Sequence, residues 1–140
     1  MMERTVGWTP GTSKAIVSAL RERVQTAAVR RGDRIDERVG QSWISWRSRK
    51  RDRVFAEIRP LRGRIQVFIL PGPWDLRDAG GLAKRAPRTQ GWGWFRSRLE
   101  IASLERVEPA ARLIVQSYER VVHAPNDGSR ARRTRRTQGL

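Results

Sequence analysis

Three stretches of this sequence gather side chains that hold anions or stack on rings. The run Arg47-Ser48-Arg49-Lys50-Arg51-Asp52-Arg53 carries a cation at nearly every position, and Arg62 follows in the next turn. Trp92 and Trp94 lead into Arg96 and Arg98 at strand spacing. Towards the C-terminus, Arg130, Arg132, Arg133, Arg135 and Arg136 occur without a large apolar side chain among them. A guanidinium is a planar fork of donors that grips phosphate with paired hydrogen bonds and lies flat on aromatic rings. Tryptophan and arginine on one strand face form the surface on which bases stack while their phosphates are neutralised. The chemistry on offer is capture of a polyanion rather than bond-making.

Bond-making has almost no candidates. The chain has one histidine, His123, and no cysteine, so Ser-His-Asp and Cys-His arrangements lack their base and nucleophile. Zinc sites of the usual kind lack ligands for the same reason. Glu57 and Glu100 fall on strands among arginines and are expected to be cross-strand salt-bridge partners. The glycines at 80, 81, 91 and 93 match neither phosphate-loop spacing. No catalytic residue, metal or cofactor is expected, and the chain reads as non-enzymatic.

The charge balance points the same way. Over 140 residues the formal net charge is +16, and every basic residue except Lys14, Lys50 and Lys84 is arginine. A GC-rich genome would account for arginine over lysine, but not for the net charge. A field of this sign attracts nucleic acid or another polyanion. No apolar run approaches the ~20 residues of a membrane span, and the N-terminal Met-Met-Glu-Arg-Thr-Val-Gly-Trp has no apolar h-region. A cytoplasmic protein with no membrane partner is expected, with its oligomeric state left open.

The elements that must position these residues centre on Arg64–Leu70, the most β-prone run and apolar on nearly both faces. Such a strand belongs in a sheet interior, covered on both sides. After an irregular lead-in (1–12), a helix capped by Thr12 or Ser13 carries Ile16, Leu20, Val24 and Ala28 and ends near Arg31 at Gly32. Residues 33–40 read as a short polar turn carrying Ile35 and Val39 inward. A meander follows: Ser42–Ser48; Val54–Arg59, with Val54, Ala56 and Ile58 opposite Phe55, Glu57 and Arg59; and the central strand. With no apolar side chain to bury, the tip between the first two strands is expected to point into water and bind phosphate. Residues 71–91 form a long loop, with Trp74, Leu76 and Leu82 folding over the second sheet face. The fourth strand, Trp92–Ile101, turns Phe95, Leu99 and Ile101 inward and Trp92, Trp94, Arg96, Arg98 and Glu100 outward. A last helix starts near Glu108, and 125–140 is a disordered basic tail. The expectation is one α+β domain over 13–124, a four-stranded antiparallel sheet with two long helices packed on one face.

This order resembles an uncharacterised bacterial domain family, a domain of unknown function sometimes fused to predicted transport proteins. The residues that carry it are Ser42-Trp43-Ile44-Ser45-Trp46, Phe55 with Ile58 and Pro60, Asp78 and Gly81-Leu82-Ala83. They continue with Gly91-Trp92-Gly93, Leu113-Ile114 and Ser117-Tyr118-Glu119. The resemblance spans roughly Ala15 to Val121 and implies the same architecture, but supplies no catalytic residues. A looser similarity to small α+β domains suspected of binding DNA agrees with the charge.

These readings converge on a non-enzymatic nucleic-acid-binding module, DNA favoured over RNA, contacting backbone more than sequence. The alternative is a protein-interaction or small-ligand module that uses the Trp-rich sheet face and the 71–91 loop.

Overall fold

The computed structural model describes residues 10–87 and 94–123. Helix α1 (Pro10–Arg30) opens at a proline, a residue favoured in the first turn because its missing N–H has no intrahelical partner there. Ile16, Leu20, Val24 and Ala28 are buried, as their spacing requires. Gly32, at φ 71°, ends the helix. Its N–H donates to Val29 O and that of Asp33 to Ala28 O, both at 2.9 Å. This left-handed turn closes the orphan carbonyls and drops Asp33 into the interior.

Strands β1 (Ile35–Val39), β2 (Ile44–Ser48), β3 (Arg53–Leu61) and β4 (Arg64–Ile69) form an antiparallel meander. After the long connection come β5 (Lys84–Arg85) and β6 (Ser97–Ile101), giving the spatial order β1-β2-β3-β4-β6-β5. Helix α2 (Val107–His123) then returns across the sheet. Both helices lie on one face, α2 against β3 and α1 against α2. Arg23 of α1 and Arg31, just past its end, pair with Glu108 and Glu119 of α2 across the helix seam.

The sheet therefore has six strands among the described residues, not four. Residues 35–39 are an edge strand rather than a turn. An edge needs only one inward side chain, which Ile35 provides, and Val39 is 67% exposed instead of carried inward. The two-residue strand β5 extends the other edge. β3 also departs from simple alternation. Trp46 pairs with Ala56 but Arg47 with Val54, so Phe55 is an extra residue, a β-bulge. The bulge lets Phe55 join Ala56 and Ile58 in the core, edge-on to Tyr118 at 5.3 Å, and turns Val54 to the opposite face.

The main core lies between helices and sheet, where Trp46, Ile58, Ile65, Val67, Leu99, Leu20 and Ile114 are buried. Leu76 and Leu82 pack against this core and not over the second face, while Trp74 is 59% exposed. Phe95 lies outside β6 and packs on the second face, with Phe68 and Ala86. Trp46 and Phe68 are both fully buried, on opposite faces.

Candidate nucleic-acid interface

Strand alternation sends every second side chain to the face away from the helices. One transverse row crosses the whole described sheet: Arg38, Ser45, Glu57, Phe68, Arg98 and Lys84, on β1, β2, β3, β4, β6 and β5. The row is buried at its centre, where Glu57 is 5% exposed, and cationic at its ends. Arg59 lays its guanidinium over Phe68, 5.5 Å from the ring centroid, and pairs with Glu57 at 3.4 Å. This pair joins Glu57 to an arginine of its own strand. The Nε atoms of Arg59 and Arg98 are buried and make no hydrogen bond.

The carboxylates on this face are already matched. Asp36 takes a forked contact from Arg49, at 2.8 Å to Nη2, and that hydrogen bond holds its carboxyl below the usual range. Glu100 accepts from Gln66 Nε2 at 2.9 Å and lies 3.3 Å from Arg64, and its carboxyl is lowered chiefly by Gln66. Among the described strand residues, Arg38, Arg47, Arg59, Arg64, Arg98 and Lys84 share the face with only Asp36, Glu57 and Glu100. The surplus is cationic, and among the described residues no helix covers it.

The β1–β2 turn, the sheet floor and residues 94–95 enclose a cavity of about 540 Å³. Trp43 and Trp94 line it with Arg38 and Arg47 and with the carboxylates of Asp36, Glu37 and Glu57. The Trp43 indole lies so close to Gly40 that a Cβ there would stand 2.4 Å from the ring. Trp94 is 57% exposed, with its ring 6.2 Å from that of Phe95.

No protein family, curated protein or solved structure matches the chain.

The fold divides the predicted binding residues. Arg47 on β2 and Trp94, in the turn ahead of β6, line one cavity. Arg98 stands on the same face, and Arg53, Arg62 and Arg96 are exposed. Arg49 and Arg51 do not simply point into water. Arg49 is held by Asp36, and Arg51 Nη2 donates to Val122 O at 2.7 Å at the end of α2. With Arg31, Lys50 and Tyr118, Arg51 lines a separate cavity of about 450 Å³ on the helix side. Trp92 and Arg130, Arg132, Arg133, Arg135 and Arg136 lie outside the described residues, as do the basic tail and most of the lead-in.

Arg38, Arg59, Trp43 and Glu57 complete the face, and none stood out from composition. Arg38 needed residues 35–39 to be seen as a strand. The alternation of Trp43 with Ile44 already put it opposite the core.

Proposed function

We propose that this chain is a nucleic-acid-binding module whose contact surface is the helix-free sheet face, with a cytoplasmic location and no catalytic role. The observation that carries the reading is the combination on one face of exposed indole with arginine in excess over carboxylate. Phosphates release counterions when cations neutralise them, which gives affinity without sequence information. Exposed indole adds base stacking, which every base can use and which a paired duplex offers less readily.

A second reading has its own support. A cavity of about 540 Å³ falls within the roughly 300–1,000 Å³ typical of small-ligand sites. One titration series separates the two. Binding to single-stranded DNA, duplex DNA and RNA is measured at two salt concentrations. Steep weakening with salt supports the nucleic-acid reading; salt-insensitive capture of an apolar small molecule, with no nucleic-acid binding, supports the other.

A further inference from the structure

The cavity of about 450 Å³ on the helix side lies apart from the sheet face, and it gathers cations from two parts of the fold. Arg31 enters from just past the end of α1, and Lys50 and Arg51 from the β2–β3 turn. Asp33, Tyr118 and Val122 complete the lining. We propose that this cavity binds a phosphate monoester, free or at the end of a strand, with its terminal oxygens on Arg31, Lys50 and Arg51. The inference goes beyond the sheet-face reading and does not depend on it.

The turn that presents two of the cations is fixed before any ligand arrives. Lys50 N–H donates to Asp33 Oδ1 at 2.9 Å, Arg51 N–H to Ser48 Oγ at 3.1 Å, and Asp52 N–H to Ser48 O at 2.8 Å. Asp52 closes the turn at φ 56°, a left-handed conformation that aspartate tolerates. An anchored backbone has little freedom left to lose when an anion binds.

The negative groups around the cavity are already engaged. Asp33 accepts from Arg34 and Lys50 N–H at Oδ1 and from the Ser48 and Tyr118 hydroxyls at Oδ2, which occupies its lone-pair sites. Glu119 meets Arg31 at Nη2, 3.2 Å away, and leaves the other N–H groups of that guanidinium. Three cations thus face one carboxylate in the lining, and the balance stays positive when Glu119 is counted. Both helices end beside the cavity, and their negative poles alone would favour a cation there. Those carbonyls are met from within the fold: Gly32 and Asp33 N–H close the end of α1, and Arg51 Nη2 takes Val122 O. Lys50 has no such duty. Its side chain is exposed, and among the described residues no carboxylate pairs with its ammonium.

A phosphate monoester matches this set. It offers three strong acceptor oxygens, one for each cation, and close to two negative charges at neutral pH. Guanidinium forks grip phosphate through paired N–H groups, and lysine adds a compact charge. A carboxylate brings only two oxygens and a single charge. The volume is that of a small-ligand site, with room for part of the body that carries the phosphate.

The test titrates the full chain with glycerol phosphate by calorimetry, with acetate for comparison. Glycerol phosphate should bind at least about tenfold more tightly than acetate. Lys50→Ser and Arg31→Gln should each weaken it about five- to tenfold. Arg112→Ser removes an equal charge from an exposed site on α2, in the lining of a different cavity, and should leave the affinity unchanged. Lys50→Ser removes only an exposed side chain, so it decides the matter if Arg31→Gln does not fold. A thymine strand of about 12 nucleotides is also measured with and without a terminal phosphate. An advantage of the phosphorylated strand that Lys50→Ser abolishes would assign the phosphate to a strand end and support the same site. Acetate bound as tightly as glycerol phosphate, or an equal loss in Arg112→Ser, would mean diffuse attraction of anions and overturn the inference. Indifference of both glycerol phosphate and the phosphorylated strand to Lys50→Ser overturns it as well. None of these outcomes bears on Arg38 and Arg47, so the sheet-face reading is judged separately by its own salt slope.

Discussion

Asp33 and Tyr118 stand 85 positions apart and meet in the interior, where Tyr118 Oη donates to Asp33 Oδ2 at 2.8 Å. The same carboxylate accepts Ser48 Oγ–H at 2.6 Å and the N–H groups of Arg34 and Lys50 at 2.7 and 2.9 Å. One buried anion thereby ties the end of α1 to β2, the hairpin turn and α2. Its charge is stabilised by dipoles aimed at it, which cost nothing to reorganise once the fold is made.

That arrangement fixes how stability depends on pH. Burial alone would raise the Asp33 carboxyl, but the bonds from Ser48, Lys50, Tyr118 and Arg34 together hold it below the ordinary range. A group depressed in the folded state is protonated first in the unfolded chain. Its stabilisation is complete above the ordinary carboxyl value of about 3.9 and is lost as pH falls through the lower folded value. Burial, then Asp33, pushes the Tyr118 phenol up, so its contribution is present below about pH 10 and fades above that. Denaturant midpoints should therefore be flat from about pH 5 to 9 and drop on both sides. Asp33→Asn should lower stability at neutral pH by about 2 kcal/mol or more, because four donors lose their acceptor charge, and should make the acid limb shallower. An unchanged acid limb would mean that other carboxylates govern it.

Ser117 repairs the backbone that the bulge disturbs. Its hydroxyl donates to Phe55 O at 2.7 Å and accepts from Leu70 N–H at 3.0 Å, both out of reach of the strand ladder. Ser117→Ala should cost about 2–4 kcal/mol, since two buried main-chain groups lose their partner. Urea unfolding with an unchanged slope would measure it; a loss within about 0.5 kcal/mol would show that neither bond matters.

The helical stripe of Ile16, Leu20, Val24 and Ala28 and the two-sided burial around Phe68 were legible because both follow a simple period. What was hidden depends on long-range pairing. Asp36-Glu37-Arg38 looks like a solvated turn until β2 pairs with it. There Glu37 accepts from Trp46 Nε1 at 2.8 Å and pairs with Arg21 at the same distance. The bulge at Phe55 leaves the pattern Val54, Ala56, Ile58 looking regular, so nothing local announces the switch of faces. Likewise, Trp94 and Arg98 were readable as a binding surface, but the meeting of Trp94 with Arg47, Arg38 and Glu57 around one cavity is a product of the fold.

The hairpin cations divide into those that hold the fold and those that do not. Arg51 gives a charged hydrogen bond to the last turn of α2, where the helix dipole is negative. Arg51→Ala should cost about 1.5–2 kcal/mol, whereas Lys50→Ala, at an exposed side chain, should stay within about 0.5 kcal/mol. Arg49→Ala removes a largely exposed ion pair with Asp36 and should fall between them, since solvent screens such a pair. Replacing all three together is thus expected to perturb the fold as well as any phosphate contact. Equal effects at Arg51 and Lys50 in chemical denaturation would show that the cap is not formed in solution.

The salt dependence of binding can locate the interface on the sheet without that complication. Arg38 is exposed on the helix-free face, and Arg47 stands beside it on β2 with a 3.4 Å contact to the exposed Asp52. Neither side chain supports the core, so serine at both positions should leave the fold intact. If each holds one phosphate of a single strand, the slope of log K against log salt should flatten by about 0.7 per arginine, or roughly 1.4 for the pair. Lys50→Ser lies on the opposite, helix-side cavity and should leave the slope unchanged. The loss at Arg38 and Arg47 should be the same for unrelated base compositions, because phosphate contacts carry no base information. A slope that responds to Lys50 and ignores Arg38 and Arg47 would move the interface to the helix side and remove the sheet face from the reading.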